Sequence, residues 1–294
     1  MQPDPIARIR RFNRAVTAET GALDTSFLGR GRPLGAARVL WGIGPDGTDV
    51  ADIRTTLRLD SGLLSRLLRT LEAGGLITTE PARHDRRHRV ARLTAAGQTE
   101  KAEYDRLNDR LAADILSRVP GKTDAFLAAM DLVANVLNRS RITITPSDPE
   151  APQARACLSA YFTLLTERIP GVTSAHVPDP DPEAQLYRPP GGAFLLALSD
   201  GLPVACAALK HIDAQTGEVK RLWVDPSARG MGLARQMMTA LEEAARGLGK
   251  TRLKLDTNGA LTEAIALYRA TGWYEIAPYS TFPATHWFAK QIQA

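Results

Sequence analysis

The chain has 294 residues, 44% hydrophobic and 23% charged, with a formal net charge of +5. That length allows two hydrophobic cores, and the composition is that of an ordinary soluble polypeptide. Residues 1–147 carry 23 Lys and Arg against 17 Asp and Glu, a net +6, while residues 148–294 carry 14 against 15, a net −1. The basic half suits a polyanionic partner such as nucleic acid; the second half does not share that bias.

No apolar run is long enough to span a bilayer, and the start MQPDPIARIRRFNR lacks the apolar stretch of a secretion signal. The expectation is a cytoplasmic chain with no membrane partner. Cys157 and Cys206 lie far apart in apolar surroundings, ACLSAYF and VACAAL, as buried free thiols do. His84, His88, His176, His211 and His286 have no ligand-like spacing to a cysteine, so no metal is expected.

In chain order, helical spacing predicts segments at 5–20, 33–44, 49–59 and 62–73. LITTEPARHDRRHRVARLT then reads as two short strands around a charged loop, followed by helices over 95–116 and 122–138. Three prolines in RITITPSDPEAP, residues 141–152, mark a linker. Beyond it come a helix at 153–167, strands at GAFLLALSDG, PVACAALKHI and GEVKRLWV, and a helix at 232–246. A strand at RLKLD, a helix at LTEAIALYRA, and strands at WYEIA and HWFAKQI close the chain. PDPDPEAQLYRPP, residues 178–190, is a loop within this second half.

In the first half, Asp60 or Ser61 is placed to cap a helix whose Leu63, Leu64, Leu67, Leu68 and Leu71 form one apolar stripe. Ser65, Arg66 and Arg69 occupy its opposing side, free to meet a groove. The loop that follows places Arg83, Arg86, Arg87, Arg89 and Arg92 around Asp85, an arginine-rich tip suited to a minor groove or a phosphate backbone. Asp85 is positioned to tie that tip together through Arg87 or a backbone amide. A solvated arginine face over simple helix packing is the alternative. With RPLGAARVLWGIG, the DRR of residues 85–87, and LTAAG at 93–97, residues 30–140 resemble the MarR family of winged helix-turn-helix regulators. The resemblance implies a mainly helical DNA-binding domain over 1–145 that binds palindromic double-stranded DNA as a homodimer. Residues 5–20 and 122–138 would contribute to that dimer.

In the second half, the strand GEVKRLWV stops at Asp225 and Pro226, and Arg229, Gly230 and Gly232 open a helix. Unpaired N–H groups and the dipole at a helix start favour a negative ligand, and glycines let the backbone approach a pyrophosphate. RGMGLA has neither the third glycine of a dinucleotide fingerprint nor the Lys-Ser/Thr of a nucleotide triphosphate loop. Taken alone, a compact turn explains it equally well. A second strand, TRLKLDT, splayed from the first, would leave room for an extended arm, with Tyr268 of the next helix at its reactive tip. A phenol there can protonate a departing thiolate, although an aromatic core position beside Leu267 and Trp273 is the simpler account of Tyr268.

Together EVKRLWVDP, RGMGLA and ALYRATGW resemble the GNAT family of N-acetyltransferases over residues 150–294. The implied fold is an α/β domain with a central mixed sheet, making the whole chain multidomain, and the implied acetyl donor is acetyl-CoA. By resemblance, Leu222, Trp223 and Val224 hold the pantetheine arm. Arg229 belongs to the signature, and amides of Gly230, Met231, Gly232, Leu233, Ala234 and Arg235 bind the pyrophosphate. Tyr268 protonates the thiolate. Many members carry an asparagine seven residues before the tyrosine, where this chain has Leu261; Asn258 is the nearby substitute.

An amine acceptor must lose a proton to attack a thioester, and Glu218 is the candidate base, with pairing to Lys220 as its structural alternative. Asp200, Asp225 and His286 are further candidates for that role. Transfer is expected to be direct, with Cys206 in the core. Arg188, Lys210, His211, Lys220 and Arg221 suggest a small amine bearing a carboxylate, an amino acid or related metabolite. The expected function is thus a DNA-binding regulator fused to an acetyltransferase; the alternative is a regulator whose second domain senses acetyl-CoA or a metabolite without turnover.

Overall fold

The computed structural model describes residues 4–81, 88–176, 178 and 180–292. The chain falls into two compact units, Met1–Thr123 and Asp124–Ala294.

The first unit contains α1 (Pro5–Glu19), α2 (Leu34–Trp41), β1 (Thr48–Asp49), α3 (Val50–Leu57), α4 (Ser61–Ala73), β2 (Ile77–Pro81), β3 (Arg89–Leu93) and α5 (Ala95–Ser117). Helices α3, α4 and α5 each start where a short polar side chain accepts an orphan amide. Asp49 takes Ala51 N at 2.7 Å, Asp60 takes Leu63 N at 2.8 Å, and Thr94 takes Gly97 N at 3.0 Å. The leucine stripe of α4 is buried at Leu64, Leu67, Leu68 and Leu71 against Val39, Leu40 and Ile53. β1, β3 and β2 form an antiparallel sheet in that order, the two-residue β1 being a strand that periodicity does not reveal. Helix α1 buries none of its residues, and Ile6, Ile9, Phe12 and Val16 stand exposed along one side.

The second unit contains α6 (Thr123–Asn138), β4 (Thr143–Pro146), α7 (Pro152–Arg168), β5 (Ala193–Ser199), β6 (Leu202–His211), β7 (Thr216–Val224), α8 (Leu233–Gly247), β8 (Arg252–Thr257), α9 (Thr262–Ala270), β9 (Tyr274–Glu275) and β10 (His286–Gln291). Seven strands form one sheet, β4-β5-β6-β7-β8-β10-β9, antiparallel except for β7 beside β8. The expected mixed sheet is therefore present. Leu195, Ala197, Ala205 and Ala207 face α8 and α9, while Phe194, Leu196, Cys206 and Ala208 face α7. Burial on both faces explains why β5 and β6 read as nearly continuous apolar runs rather than as alternation.

The segment expected to be a linker contributes a strand: Thr143–Pro146 pairs with Leu198–Leu195. Pro146 is tolerated because β4 lies at the sheet edge, where an N–H is not required on the open side. Polar and proline content misled there because an edge strand needs only one paired side.

Gly97 lies in the first turn of α5, where a Cβ would meet the Leu76 carbonyl oxygen at 1.9 Å. Alanine ordinarily favours a helix over glycine by about 1 kcal/mol. Here Gly97→Ala is expected to destabilise the protein by about 3 kcal/mol through overpacking against backbone, measured as a lowered urea midpoint.

Candidate functional site

β7 and β8 pair in parallel only at Thr216↔Arg252, Gly217↔Leu253 and Glu218↔Lys254. Past Glu218 the two strands separate. On its other edge, β7 slips against β6 between Ala208↔Lys220 and Cys206↔Trp223, so that three steps on β7 oppose two on β6. The extra residue is accommodated by Arg221, whose φ is +58°. A non-glycine residue in that region is strained, and it persists here because its side chain is firmly held. Arg221 Nε donates to Asp181 Oδ2 at 2.6 Å and Nη2 to Asp181 Oδ1 at 3.0 Å and Glu183 Oε2 at 3.2 Å. The guanidinium also lies 5.2 Å from the centroid of Phe162.

Two cavities open at the separation. The larger, about 570 Å³, is lined by Leu222, Trp223 and Val224 of β7, by Arg229, Gly230, Gly232, Leu233, Ala234 and Arg235 at the start of α8, and by Arg168 and Leu267. Gly230 and Gly232 have φ of +75° and +81°, and a Cβ added at either would meet nothing within 4 Å. No side chain caps α8, so its first amides are open to a ligand. An apolar trough ending in amides and arginines fits an elongated group with a phosphate-bearing end, as acetyl-CoA is. Met231 is buried and does not line this cavity.

The smaller cavity, about 170 Å³, is lined by Lys220, Asp256, Asn258, Tyr268, His176 and Pro283 among others. Tyr161, Leu222, Leu261 and Ala264 line both cavities. Tyr268 packs against Trp273 and Phe288 at centroid distances of 5.9 and 5.7 Å. It is thus both a core aromatic and a cavity wall. Burial, then Tyr161 and Asp256, push its phenol pKa up, so the hydroxyl remains a proton donor at neutral pH. Asn258 accepts from Ala260 N at 2.9 Å and donates to the Pro283 carbonyl, holding the turn after β8.

Glu218 lines neither cavity. Its Oε1 accepts from Tyr279 Oη at 3.0 Å and lies 3.0 Å from Lys220 Nζ. Lys220 reaches on to Asp256 Oδ1 at 2.9 Å, and Asp256 Oδ2 accepts from Ser280 Oγ at 2.7 Å. Burial works against the Lys220 charge, but Asp256 and Glu218 outweigh it and its pKa lies above the ordinary lysine value. Burial likewise opposes the Asp256 carboxylate, and Lys220 overrides it, leaving its pKa below the ordinary value. Of the other carboxylates weighed for this role, Asp225 accepts Ser227 N at 2.8 Å and Asp200 sits in the β5–β6 turn. His286 contacts Thr285 Oγ1 at 2.9 Å.

The cations expected at an acceptor entrance are already engaged. Arg188 pairs with Asp148 and Glu150, Lys210 with Glu183, Lys220 with Glu218 and Asp256, and Arg221 with Asp181 and Glu183. His211 Nδ1 lies 2.8 Å from Lys250 Nζ. Charge counting along a sequence cannot see that the loop carrying Asp181 and Glu183 folds back to neutralise Lys210 and Arg221. Tyr161 and Asp256 were the site residues that sequence patterning missed; the splay of β8 was the available signal for Asp256.

In the first unit, Ser65, Arg66 and Arg69 are exposed on the face of α4 opposite its buried leucines. Arg89 is exposed beside Thr79, 3.9 Å from Glu72. Arg92 pairs with Glu80 at 2.8 Å. Arg83, Asp85, Arg86 and Arg87 lie outside the described residues.

Residues 159–273 match the model of the acetyltransferase (GNAT) family, and residues 30–88 that of the MarR family. The chain is 35% identical over 102 residues to the IAA acetyltransferase of Azospirillum brasilense, covering 34% of this chain and 66% of that protein. It is 33% identical over 122 residues to the uncharacterized N-acetyltransferase YjgM of Escherichia coli (strain K12), covering 40% and 71%. A solved GNAT-family acetyltransferase from Staphylococcus aureus MU50 aligns at 17% identity and a TM-score of 0.46, over 52% of this chain and 99% of that one.

The Asp181 side chain is fully buried against Arg221. Arg221→Met is expected to strand that carboxylate and cost about 3–5 kcal/mol, whereas Asp181→Asn combined with Arg221→Met should recover part of the loss. Urea unfolding of the two variants measures both effects.

Proposed function

We propose, for a chain that belongs to the GNAT acetyltransferase family over residues 159–273 and to the MarR family over residues 30–88, that it is a DNA-binding regulator carrying a working N-acetyltransferase for a small amine. The observation that carries the catalytic half is the meeting of two cavities where β7 leaves β8, with Tyr268 lining the smaller one. The division of labour places DNA binding within residues 1–145 and acetyl transfer within 150–294, with β4 as an edge strand of the second sheet.

Acetyl-CoA supplies a thioester-activated acetyl group. Leu222, Trp223 and Val224 offer the unpaired edge of β7 to its pantetheine arm, and the amides from Gly230 to Arg235 receive the pyrophosphate. Asn258 acts one step removed, by holding the turn that shapes the acceptor cavity. Asp256 lines that cavity, and Glu218 stands behind it through Lys220. The amine proton is taken at Asp256, with Glu218 helping to hold Lys220 behind it, the amine nitrogen bonds the acetyl carbon, and the carbon–sulfur bond breaks. Tyr268 gives its phenolic proton to the departing thiolate. The acceptor is a small amine. The narrower reading, an amino acid or related metabolite, loses its support from free cations because each of the five is engaged within the protein.

For DNA, α4 presents Ser65, Arg66 and Arg69, and β3 presents Arg89. In the sequence, Arg83, Arg86 and Arg87 lie close to Arg89 and add to its positive charge. A homodimer matches two such faces to a palindromic duplex. Its interface draws on the exposed apolar stripe of α1 and on Leu127, Met130, Leu132, Val136 and Leu137 of α6, since apolar rows of this kind mark association surfaces. The chain acts in the cytoplasm. No helix among the described residues is long and apolar enough to cross a membrane.

A second reading is favoured by the position of Glu218, which is engaged by Lys220 and Tyr279 away from both cavities. There the domain binds acetyl-CoA or a metabolite and alters DNA affinity without turnover. Free-thiol release from acetyl-CoA across a panel of primary amines separates the two: release supports the enzyme, and binding without release supports the sensor. Tyr268→Phe is expected to lower kcat by about 10²-fold while leaving the acetyl-CoA KM within a small factor; an unchanged kcat removes the acid role. Arg66→Glu with Arg69→Glu is expected to abolish specific binding to an operator found by selection from random duplexes, and intact binding by this variant would rule out the α4 face.

A further inference from the structure

The thioester must sit where donor and acceptor cavities meet, and four residues line both: Tyr161, Leu222, Leu261 and Ala264. Tyr161 of α7 is the sole member of that set with a polar side chain. Among the described residues its hydroxyl has no hydrogen-bond partner, although the phenol ring is fixed against Phe162 at a centroid distance of 5.5 Å. The half-buried side chain therefore brings one unspent donor to the junction. Water can satisfy a half-buried phenol of this kind, and a ligand that offers an acceptor can take the water's place.

We propose that Tyr161 donates a hydrogen bond to the carbonyl oxygen of the acetyl group, so that it orients the thioester and stabilises charge building on that oxygen. This rests on the acetyl-CoA reading of the larger cavity. The role differs from that of Tyr268, which releases its proton to sulfur; Tyr161 keeps its proton throughout. Two phenols thereby divide the two atoms on which negative charge develops, oxygen and sulfur.

The surroundings favour a neutral, donating Tyr161. Burial raises its pKa above the ordinary tyrosine value, against the opposing pull of Arg221 and Lys220. Tyr161 lines the acceptor cavity together with Lys220, Arg221, Asp256 and Tyr268. A backbone donor from β7 can share the same oxygen, since a carbonyl oxygen accepts two hydrogen bonds.

The test compares acetyl-CoA with S-ethyl-CoA, a thioether that lacks the carbonyl oxygen, by calorimetry on the full chain. Wild-type protein is expected to bind acetyl-CoA more tightly than S-ethyl-CoA. Tyr161→Phe should weaken acetyl-CoA by about three- to tenfold and leave S-ethyl-CoA unchanged, as loss of a single hydrogen bond predicts. Tyr268→Phe should leave the preference for acetyl-CoA intact. Equal affinities in the wild type, or equal weakening of both ligands in Tyr161→Phe, overturns the role of Tyr161 while sparing the cofactor assignment. Failure of the wild type to bind either ligand overturns that assignment and this proposal together.

Discussion

Everything at the site depends on how early β7 and β8 stop pairing. Their parallel ladder ends at Glu218↔Lys254, so the remainder of β7 turns backbone donors and acceptors toward a gap instead of toward β8. A strand edge left open inside a sheet must be satisfied by water or by an extended ligand, and it selects for a ligand that can lie along it. The two cavities meet beside this gap, sharing Tyr161, Leu222, Leu261 and Ala264 as lining. The bulge at Arg221 acts on the opposite edge of the same strand, re-aiming residues 222–224 after the slip against β6.

Holding that distorted strand in place falls to buried charge. Arg221 is clamped by Asp181 and Glu183, and Lys220 by Glu218 and Asp256. Such pairs contribute little net stability, since desolvation offsets their attraction, yet removing one partner leaves the other uncompensated. Their value here is geometric: adjacent residues of one strand are tied to opposite sides of it, Arg221 toward α7 and the loop at 181–187, Lys220 toward β8. The same pairing leaves no spare cation in this cluster to greet an anionic acceptor.

Local chemistry was legible in the sequence; long-range correction was not. The capping residue Asp60, the leucine stripe of α4 and the glycines opening α8 each announce themselves through neighbours within a turn of helix. The positive φ of Arg221 cannot be read locally, because nothing about an arginine in KRLWV marks a bulge; the cause lies forty residues earlier, at Asp181. β4 was hidden for a similar reason, since Thr143–Pro146 becomes a strand only through its partner β5. Tyr161 reads as one more half-apolar residue on a helix until the second cavity shows which residue with a polar side chain lines both.

Every residue lining the two cavities falls between 161 and 284, within the second compact unit. The arginines of α4 and β3 belong to the first. The two sets of residues therefore lie in different units. Communication between them, where it occurs, must therefore take the form of a difference in ligand affinity between conformations, and that coupling acts equally in both directions. A ligand bound identically in every conformation shifts nothing, however tightly it is held. Acetylation can inform a promoter only if donor, acceptor or product distinguishes the DNA-bound chain from the free one.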